Sequence, residues 1–405
     1  MFNVNLNFWR IMIMTKNITR RVKMNGALAR AAALALALAA VLSGCANQDS
    51  RLEPARQKTG SAWLSFRGNA PGATGVAVDT LAPPLAEMWN YDAGGAVRSS
   101  PAVKDGIVVF GSADNAVHAL KADTGEKLWR HETGDDVIAS PLIVGEYVFI
   151  GSFDKKFYKL ELRTGKVAGS FEARAPIKGG AAADGVKVYF GAHDKRIYAL
   201  DIETLLPAWI VETEDWVEAA PAAVDGVIYC GSDDGAMYAI SAETGDILWR
   251  HITKQSVYST PVVAFGRVYF GSWDGNMFSL DARTGNSLWK TKIDEQVSAS
   301  AALSGDILVT GGMFDGTLVG LDRLSGKILW SFKVMGGFDA GPVVSGDVAY
   351  VGSTDQYLYA VNVKTGEIVW KKLMKGMMRG SVAIADGVLY VGTQRGRVAA
   401  MTTAR

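Results

Sequence analysis

Tryptophan recurs along this chain at intervals of 40 residues, interrupted by one inserted residue and one empty position. The tryptophans on this grid are Trp89, Trp129, Trp209, Trp249, Trp289, Trp330 and Trp370. Gly169 occupies the empty position. Each repeat also contains a glycine followed by a small residue, from Gly111-Ser112 to Gly392-Thr393, and there are eight such pairs. A fixed repeat of this length predicts a propeller or a solenoid.

The repeat at residues 256–292 contains four short apolar or β-branched segments separated by turns with Gly or Asp. This pattern is typical of a four-stranded antiparallel meander. A single meander cannot bury both of its faces, whereas radial stacking around an axis buries both. β-Helical solenoids usually have shorter rungs. We therefore predict an all-β fold, an eight-bladed β-propeller of four-stranded antiparallel blades.

The two ends of the chain are expected to close the ring. The strand that carries Trp89 precedes the first full repeat, and the last repeat lacks its tryptophan-bearing strand. The N-terminal strand should therefore pair with the C-terminal blade. We expect the propeller to span residues 86–405 and residues 45–85 to form a tether, with Trp63, Phe66 and Pro83-Pro84 against the ring.

Residues 1–44 have the composition of a lipoprotein signal peptide. Three basic residues between positions 20 and 23 precede an alanine and leucine run over residues 31–41, which is too short to span a membrane as a helix. The run ends in Leu42-Ser43-Gly44-Cys45, which resembles the bacterial lipobox. The resemblance implies lipidation of Cys45, and Ala46 after it implies the outer membrane. The alternative is an ordinary secretory signal with an unrelated cysteine.

The overall charge excludes one class of partner. The chain has 42 basic and 41 acidic residues, so it lacks the electrostatic attraction that nucleic acid binding needs. Its second cysteine, Cys230, occupies a position where other repeats have Phe110 or Ile150. We therefore expect a buried, unreactive thiol there.

The turns before the grid tryptophans share a motif. It reads Thr-Gly-Glu-Lys-Leu-Trp at residues 124–129 and Thr-Gly-Glu-Ile-Val-Trp at residues 365–370, with similar copies at 244–249 and 284–289. The motif resembles the tryptophan-docking repeat of the quinoprotein-type, or PQQ-like, β-propeller family, and the resemblance spans residues 86–405. Leu205 and Gly169 depart from the pattern.

Two branches of that family imply different functions. One contains the pyrroloquinoline-quinone dehydrogenases, and the other contains non-enzymatic propellers that include the BamB lipoproteins. The lipobox and compact repeats resemble the second branch. The resemblance implies a lipid-anchored, periplasm-facing scaffold on the outer membrane. Its partners would be proteins, namely those of the β-barrel assembly machinery.

The enzymatic branch implies features that this sequence lacks. Its alcohol-oxidising members carry a disulfide between adjacent cysteines over the cofactor, and no adjacent cysteines occur here. We therefore expect no catalytic residue, cofactor or metal ion. The alternatives are a PQQ-binding quinoprotein enzyme or sensor, and an envelope lipoprotein that binds polysaccharide.

Aspartate recurs at one position of seven repeats, which raises the question of calcium. These residues are Asp114, Asp154, Asp194, Asp234, Asp274, Asp315 and Asp355. Asp followed by Gly or Asn suits a hairpin turn, and each site offers too few nearby oxygens for calcium. We therefore expect turn residues.

Equivalent positions on the innermost strands should form a ring at the mouth of the central channel. Its members are Arg98, Ile138, Lys178, Glu218, Tyr258, Ser298, Asp339 and Arg379. We expect a polar mouth that binds a small anion or an acidic side chain of a partner, since arginine suits carboxylates. The alternative is that these charges pair with one another. A rim of aromatic and methionine side chains on the same face, a candidate protein interface, comprises Phe153, Trp216, Trp273, Phe314 and Met377.

Overall fold

The computed structural model describes residues 62–68 and 73–404. The chain divides into two compact units, Met1–Glu53 and Pro54–Arg405, and every described residue lies in the second. The predicted signal peptide and Cys45 therefore lie outside the described residues. The regular structure of the described part is entirely β, with no helix that is long and apolar enough to cross a membrane.

The strands follow one another in chain order, beginning with β1 (Leu85–Asp92). The next sixteen form four blades: β2 (Ala102–Lys104), β3 (Ile107–Ser112), β4 (Ala116–Lys121), β5 (Lys127–Glu132); β6 (Leu142–Val144), β7 (Tyr147–Gly151), β8 (Lys156–Glu161), β9 (Val167–Glu172); β10 (Ala182–Ala183), β11 (Lys187–Ala192), β12 (Arg196–Asp201), β13 (Pro207–Glu212); β14 (Ala222–Val224), β15 (Val227–Gly231), β16 (Ala236–Ser241), β17 (Ile247–Ile252).

The remaining strands form blades five to eight: β18 (Val262–Ala264), β19 (Arg267–Gly271), β20 (Asn276–Asp281), β21 (Ser287–Lys292); β22 (Ala302–Ser304), β23 (Ile307–Gly311), β24 (Thr317–Asp322), β25 (Ile328–Lys333); β26 (Val343–Ser345), β27 (Val348–Gly352), β28 (Tyr357–Asn362), β29 (Ile368–Leu373); β30 (Ala383–Ala385), β31 (Val388–Gly392), β32 (Arg397–Thr403).

The predicted eight-bladed ring and its closure are confirmed. Eight four-stranded antiparallel sheets are present, and the eighth has the order β1-β32-β31-β30. The N-terminal strand pairs with the C-terminal strand from Leu85 opposite Thr403 to Asp92 opposite Arg397. The ring is therefore held shut by main-chain hydrogen bonds between the two ends of the propeller.

Antiparallel order within each blade defines two faces. The turns between second and third strands and the loops between blades lie at one end, which we call the upper face. The turns between first and second and between third and fourth strands lie at the other end, the lower face. The apolar core fills the spaces between neighbouring blades, where side chains such as Phe110, Phe190 and Phe270 are fully buried.

Six of the seven grid tryptophans link their blade to the next, all except Trp370. The indole N–H of Trp89 donates to Ala122 O at 2.9 Å, and that of Trp129 donates to Leu162 O at 2.8 Å. The ring packs against the glycine turn of that next blade, where a Cβ atom on Gly125 would lie 2.6 Å from Trp89 Cδ2. Four further grid tryptophans donate in the same way: Trp209, Trp249, Trp289 and Trp330.

The junction between blades two and three replaces this arrangement with three different residues. Gly169 stands where the tryptophan would be, and Lys159 is opposite it on the neighbouring strand, where other blades have Ala119 or Ala199. The buried Lys159 ammonium donates to Ile202 O at 3.0 Å, the carbonyl that corresponds to Leu162 O. The lysine therefore supplies the hydrogen bond that the missing indole would have made.

Leu205 completes the replacement. It occupies the position of the docking glycine, keeps that glycine's positive φ of 58°, and is buried. Its Cδ1 lies 3.3 Å from where a Cβ on Gly169 would be. A leucine in this left-handed conformation costs about 1 kcal/mol, and the side chain fills space that the indole leaves empty. The two departures from the sequence motif are therefore one compensated change.

Two stretches before the propeller, residues 62–68 and 73–81, lie at the lower end of the channel, and together we call them the strap. Trp63 exchanges two main-chain hydrogen bonds of 2.7 Å with Val103 in blade one. The second stretch pairs with Val344 in blade seven, where Val344 N donates to Gly75 O at 2.8 Å. Trp63 is fully buried, and Phe66 borders the channel. The strap thus covers part of the lower end of the channel and contacts opposite sides of the ring.

The replaced junction predicts a stability effect that depends on all three residues. Lys159→Met should lower the free energy of unfolding by about 1–3 kcal/mol, because Ile202 O would lose its donor inside the protein. Gly169→Trp alone should also destabilise by about 1–3 kcal/mol, because the indole would overlap Lys159 and Leu205. The triple variant Gly169→Trp, Lys159→Ala, Leu205→Gly should recover most of this loss. Chemical unfolding compares the three variants with the wild type, and a triple variant no more stable than Gly169→Trp alone would contradict the assignment.

Candidate functional site

All eight predicted ring residues border one cavity of about 380 Å³ at the upper face, which we call the upper cavity. The innermost strands begin just below it, so each blade contributes the residue that ends its incoming loop. Phe66 of the strap lies at the base of this cavity. The repeat period was therefore sufficient to bring these residues together, whereas ligand binding by them stays a prediction.

One side of the upper cavity contains a buried carboxylate. Glu218 is 7% exposed and pairs closely with Lys178, and His193 Nε2 lies 2.9 Å from its other oxygen. Burial acts to raise the pKa of Glu218, but the contacts with His193 and Lys178 outweigh it and lower that pKa. Glu218 is therefore an anion held by two basic groups.

The opposite side of the cavity contains a second ion pair. Arg379 Nη1 lies 3.2 Å from Asp339 Oδ2, and Ser298 Oγ donates to Asp339 Oδ1 at 3.0 Å. Four of the five charged ring members thus pair with each other, as the alternative interpretation of the sequence expected. Arg98 is exposed and makes no hydrogen bond or ion pair with the residues described at 62–68 and 73–404. Arg98 is therefore the ring cation whose guanidinium is available to bind a ligand.

Aromatic side chains line the wall between these pairs. Tyr258 and Trp273 have ring centroids 4.4 Å apart, and both border the upper cavity. Trp273 was predicted on the rim, and the structure places it at the cavity wall. Behind Tyr258 lies Asp233, one of whose oxygens is buried without a hydrogen-bond partner in the described structure. The wall is therefore apolar at its surface, with an acidic group behind it.

The other predicted rim residues differ in exposure. Trp216 is 46%, Phe314 60% and Met377 42% exposed. His193 stacks on Trp216 with centroids 4.5 Å apart, and the half-buried Phe153 meets the edge of His193. Packing between loops thus fixes Phe153 and one face of Trp216, while the remaining surface faces solvent.

Two residues of the upper face escaped the sequence analysis. The residue inserted in the tryptophan grid lies in the turn of blade six, where Gly311 and its partner Leu318 are one residue further apart than Gly271 and Met277. This longer turn directs Met313 into the upper cavity and Phe314 to the rim. Met335, in the next loop, is 99% exposed. The inserted residue between Trp289 and Trp330 could have indicated Met313 in the sequence, whereas nothing in the sequence indicated Met335.

The same blade contains a second compensated change. In five other turns a serine hydroxyl accepts from the aspartate N–H, as Ser112 does from Asp114 at 3.3 Å. Blade six has Gly312 instead, and the buried Asp294 carboxylate accepts from Asp315 N at 3.1 Å. A Cβ on Gly312 would lie 1.8 Å from that carboxylate. The loss of a side chain in the turn therefore makes room for a carboxylate from the preceding loop.

The recurring aspartates act as turn residues. Asp154 Oδ2 accepts from Gly134 N at 2.8 Å and from Tyr158 Oη, and Asp234 makes the corresponding contacts with Glu214 N and Tyr238 Oη. Asp154, Asp194 and Asp234 thereby join their turns to the preceding loop. Among residues 62–68 and 73–404, no group of three or more His, Cys, Asp or Glu side chains is arranged to hold a metal ion. Cys230 is fully buried, and burial raises the pKa of its thiol.

Together these features define a quinoprotein-type propeller with an upper cavity built from non-identical residues on an otherwise regular ring. The chain belongs to the family described as outer membrane protein assembly factor BamB, whose model matches residues 82–204, 158–306 and 279–405. No curated protein sequence matches it significantly.

Solved structures share the fold at low sequence identity. BamB from Moraxella catarrhalis is 22% identical with a TM-score of 0.70, covering 80% of this chain and 99% of that one. Quinohemoprotein alcohol dehydrogenase from Comamonas testosteroni is 14% identical with a TM-score of 0.73, covering 90% and 84%. A europium-containing methanol dehydrogenase is 15% identical with a TM-score of 0.72, covering 84% and 91%. These likenesses establish the architecture and no activity.

The environment of Asp233 predicts a distinctive titration. Burial, and then the neighbouring Glu218 carboxylate, raise the pKa of Asp233 to about 7, against a smaller opposing effect of Tyr258 and Lys178. The folded protein then keeps a proton that the unfolded chain releases, so this group should lower stability progressively from pH 3.8 to about 7. Asp233→Asn should remove that loss.

Carboxyl NMR of the folded protein measures the titration directly. Glu218→Gln should lower the pKa of Asp233, and Lys178→Met should raise it, because they remove charges of opposite sign. Identical shifts in the two variants would show that the two charges do not act on this group. An Asp233 resonance that titrates near pH 4 would show that burial does not raise its pKa.

Proposed function

We propose that this protein is a non-catalytic, lipid-anchored scaffold that faces the periplasm and binds other proteins during β-barrel assembly at the outer membrane. The match to the outer membrane protein assembly factor family, over all eight blades, is the observation that carries this proposal. In the same proposal residues 1–44 are the signal peptide, Cys45 is lipidated, residues 45–85 are the tether and residues 86–405 are the docking domain.

The upper face supports a docking role physically. Trp216, Phe314 and Met377 are exposed on loops that a regular ring holds in place. Large apolar side chains on a rigid surface bury much area at little entropic cost when a partner binds. Met335 adds a flexible apolar side chain to the same face. Binding through these residues needs no rearrangement of the propeller.

The upper cavity does not fit a quinone cofactor. The carboxylates of such a group need several free cations, but Lys178 already pairs with Glu218 and Arg379 with Asp339. The Glu218 carboxylate would also face the cofactor. The chain has two cysteines, Cys45 and Cys230, so no adjacent pair can form a disulfide over the site. We therefore assign no oxidoreductase step to this chain.

Affinity purification of the full-length protein from gently solubilised membranes tests the proposal. We expect a component of the β-barrel assembly machinery to co-purify and the eluate to lack quinone absorption. A quinone band would support the dehydrogenase-like alternative instead. If the purified protein binds polysaccharide and the Trp216→Ala variant does not, the polysaccharide-binding alternative is favoured.

Substitutions on the upper face and on the outer strands should show whether partner binding depends on the upper face. Trp216→Ala with Phe314→Ala should weaken recovery of the partner at least tenfold, since each buried aromatic anchor contributes roughly 2 kcal/mol or more. The matched control is Leu248→Ala with Leu329→Ala, two apolar residues exposed on outer strands. Equal recovery with both pairs would show that the upper face is not the interface.

The anchor is tested independently. Cys45→Ser should move the protein from the membrane fraction to the soluble periplasmic fraction, because a chain without acyl groups lacks the hydrophobic anchor. Mass spectrometry of the wild-type N-terminus should show a lipidated Cys45. Membrane retention of the substituted protein, with an unmodified cysteine in the wild type, would indicate an ordinary secretory signal.

A further inference from the structure

The lower end of the channel contains a second cavity, of about 590 Å³, bordered by the strap and by the innermost strands of blades two, three and four. We call it the lower cavity. Phe66 borders both cavities and so lies between them. Its wall in blades three and four consists largely of alanines, among them Ala181, Ala183 and Ala223.

The strap shows how a polypeptide binds at this level of the ring. One residue in the innermost strand of several blades directs its main chain toward the channel, and the strap pairs with it. Val103 N donates to Trp63 O and Ile143 N to Leu64 O, each at 2.7 Å. On the far side, Leu303 N and Val344 N donate to strap carbonyls at 2.9 and 2.8 Å.

Blades three and four offer the same main-chain groups without this partner. Ala183 lies opposite Val188 and Ala223 opposite Ile228, in the register of Val103 opposite Val108. Alternate residues of an edge strand direct both N–H and C=O away from the sheet, so these groups of Ala183 and Ala223 point into the lower cavity. No residue among 62–68 and 73–404 bonds to them across this edge.

The exposure of these positions agrees with their lack of a partner. Val103, Ile143, Leu303 and Val344, which the strap covers, are buried, whereas Ala183 and Ala223 are half-buried. The corresponding residues of blades five and eight, Val263 and Ile384, are also uncovered by strap hydrogen bonds, but their side chains are buried. An accessible inner edge therefore exists at two neighbouring blades.

We propose that the lower cavity binds an extended polypeptide segment with small side chains, which pairs through its main chain with Ala183 and Ala223. The bound segment would extend the interface that the strap makes with blades one, two, six and seven to blades three and four. Alanine walls leave room for a backbone but little depth for large side chains. Recognition of this kind is β-augmentation at an inner edge, and it does not depend on the function proposed above.

A synthetic capped peptide with the sequence of strap residues 73–79, Ala-Thr-Gly-Val-Ala-Val-Asp, is a suitable probe because this segment pairs with blades six and seven. NMR titration of the full-length protein should show saturable shifts at the Ala183 and Ala223 amides. The same peptide with N-methylated alternate amides should bind roughly tenfold more weakly, since it loses main-chain donors. This control uses wild-type protein and so is independent of folding.

Two protein variants complete the test. Ala183→Pro with Ala223→Pro removes the two donors at an edge where proline is tolerated, and Ala183→Pro alone removes one of them. Both should reduce binding of the probe at least tenfold, whereas Ala208→Phe on the exposed outer strand β13 should not. Unfolding midpoints near the wild-type value establish that the variants fold. Absence of binding to the wild type, equal binding to all variants, or shifts confined to Val344 through displacement of the strap would each overturn the proposal.

Discussion

The indole of a grid tryptophan, packed against a glycine turn of the next blade at six of the eight junctions, is the contact on which the ring depends. It joins neighbouring sheets through a hydrogen bond from the ring N–H and through the apolar area of the ring. The contact repeats around the propeller, so each blade is positioned by its neighbour. These glycine turns lie at the lower face, so the upper loops can differ in residue type while the strands repeat.

The repeat period explains which parts of the structure could be predicted from sequence. A ring of equivalent positions follows from spacing alone, so Arg98, Lys178, Glu218 and Arg379 could be assigned to one mouth before any coordinates. Closure was also predictable, because the unpaired strand at one end matched the missing strand at the other. A sequence repeat shows which residues occupy equivalent positions, but it does not show which of them form ion pairs with each other.

The parts that sequence could not predict are contacts between positions that break the repeat. Lys159 takes the role of the tryptophan that the repeat predicts at position 169. Its ammonium donates to Ile202 O, a contact that only the three-dimensional structure reveals. Asp294 similarly replaces the missing serine hydroxyl of another turn. The strap has no repeat pattern, so the position of its described residues depends on burial of Trp63 and on main-chain pairing with distant blades.

The two ends of the channel differ in the chemistry that they present. The upper end presents side chains, with paired charges, one free arginine and exposed aromatic residues. The lower end presents main chain, which the strap pairs with at four of the eight blades. Side-chain surfaces select partners by shape and charge, whereas a free strand edge accepts many sequences and selects by the space around it. Since Phe66 lies between the cavities, a folded partner above and an extended segment below would not compete for the same atoms.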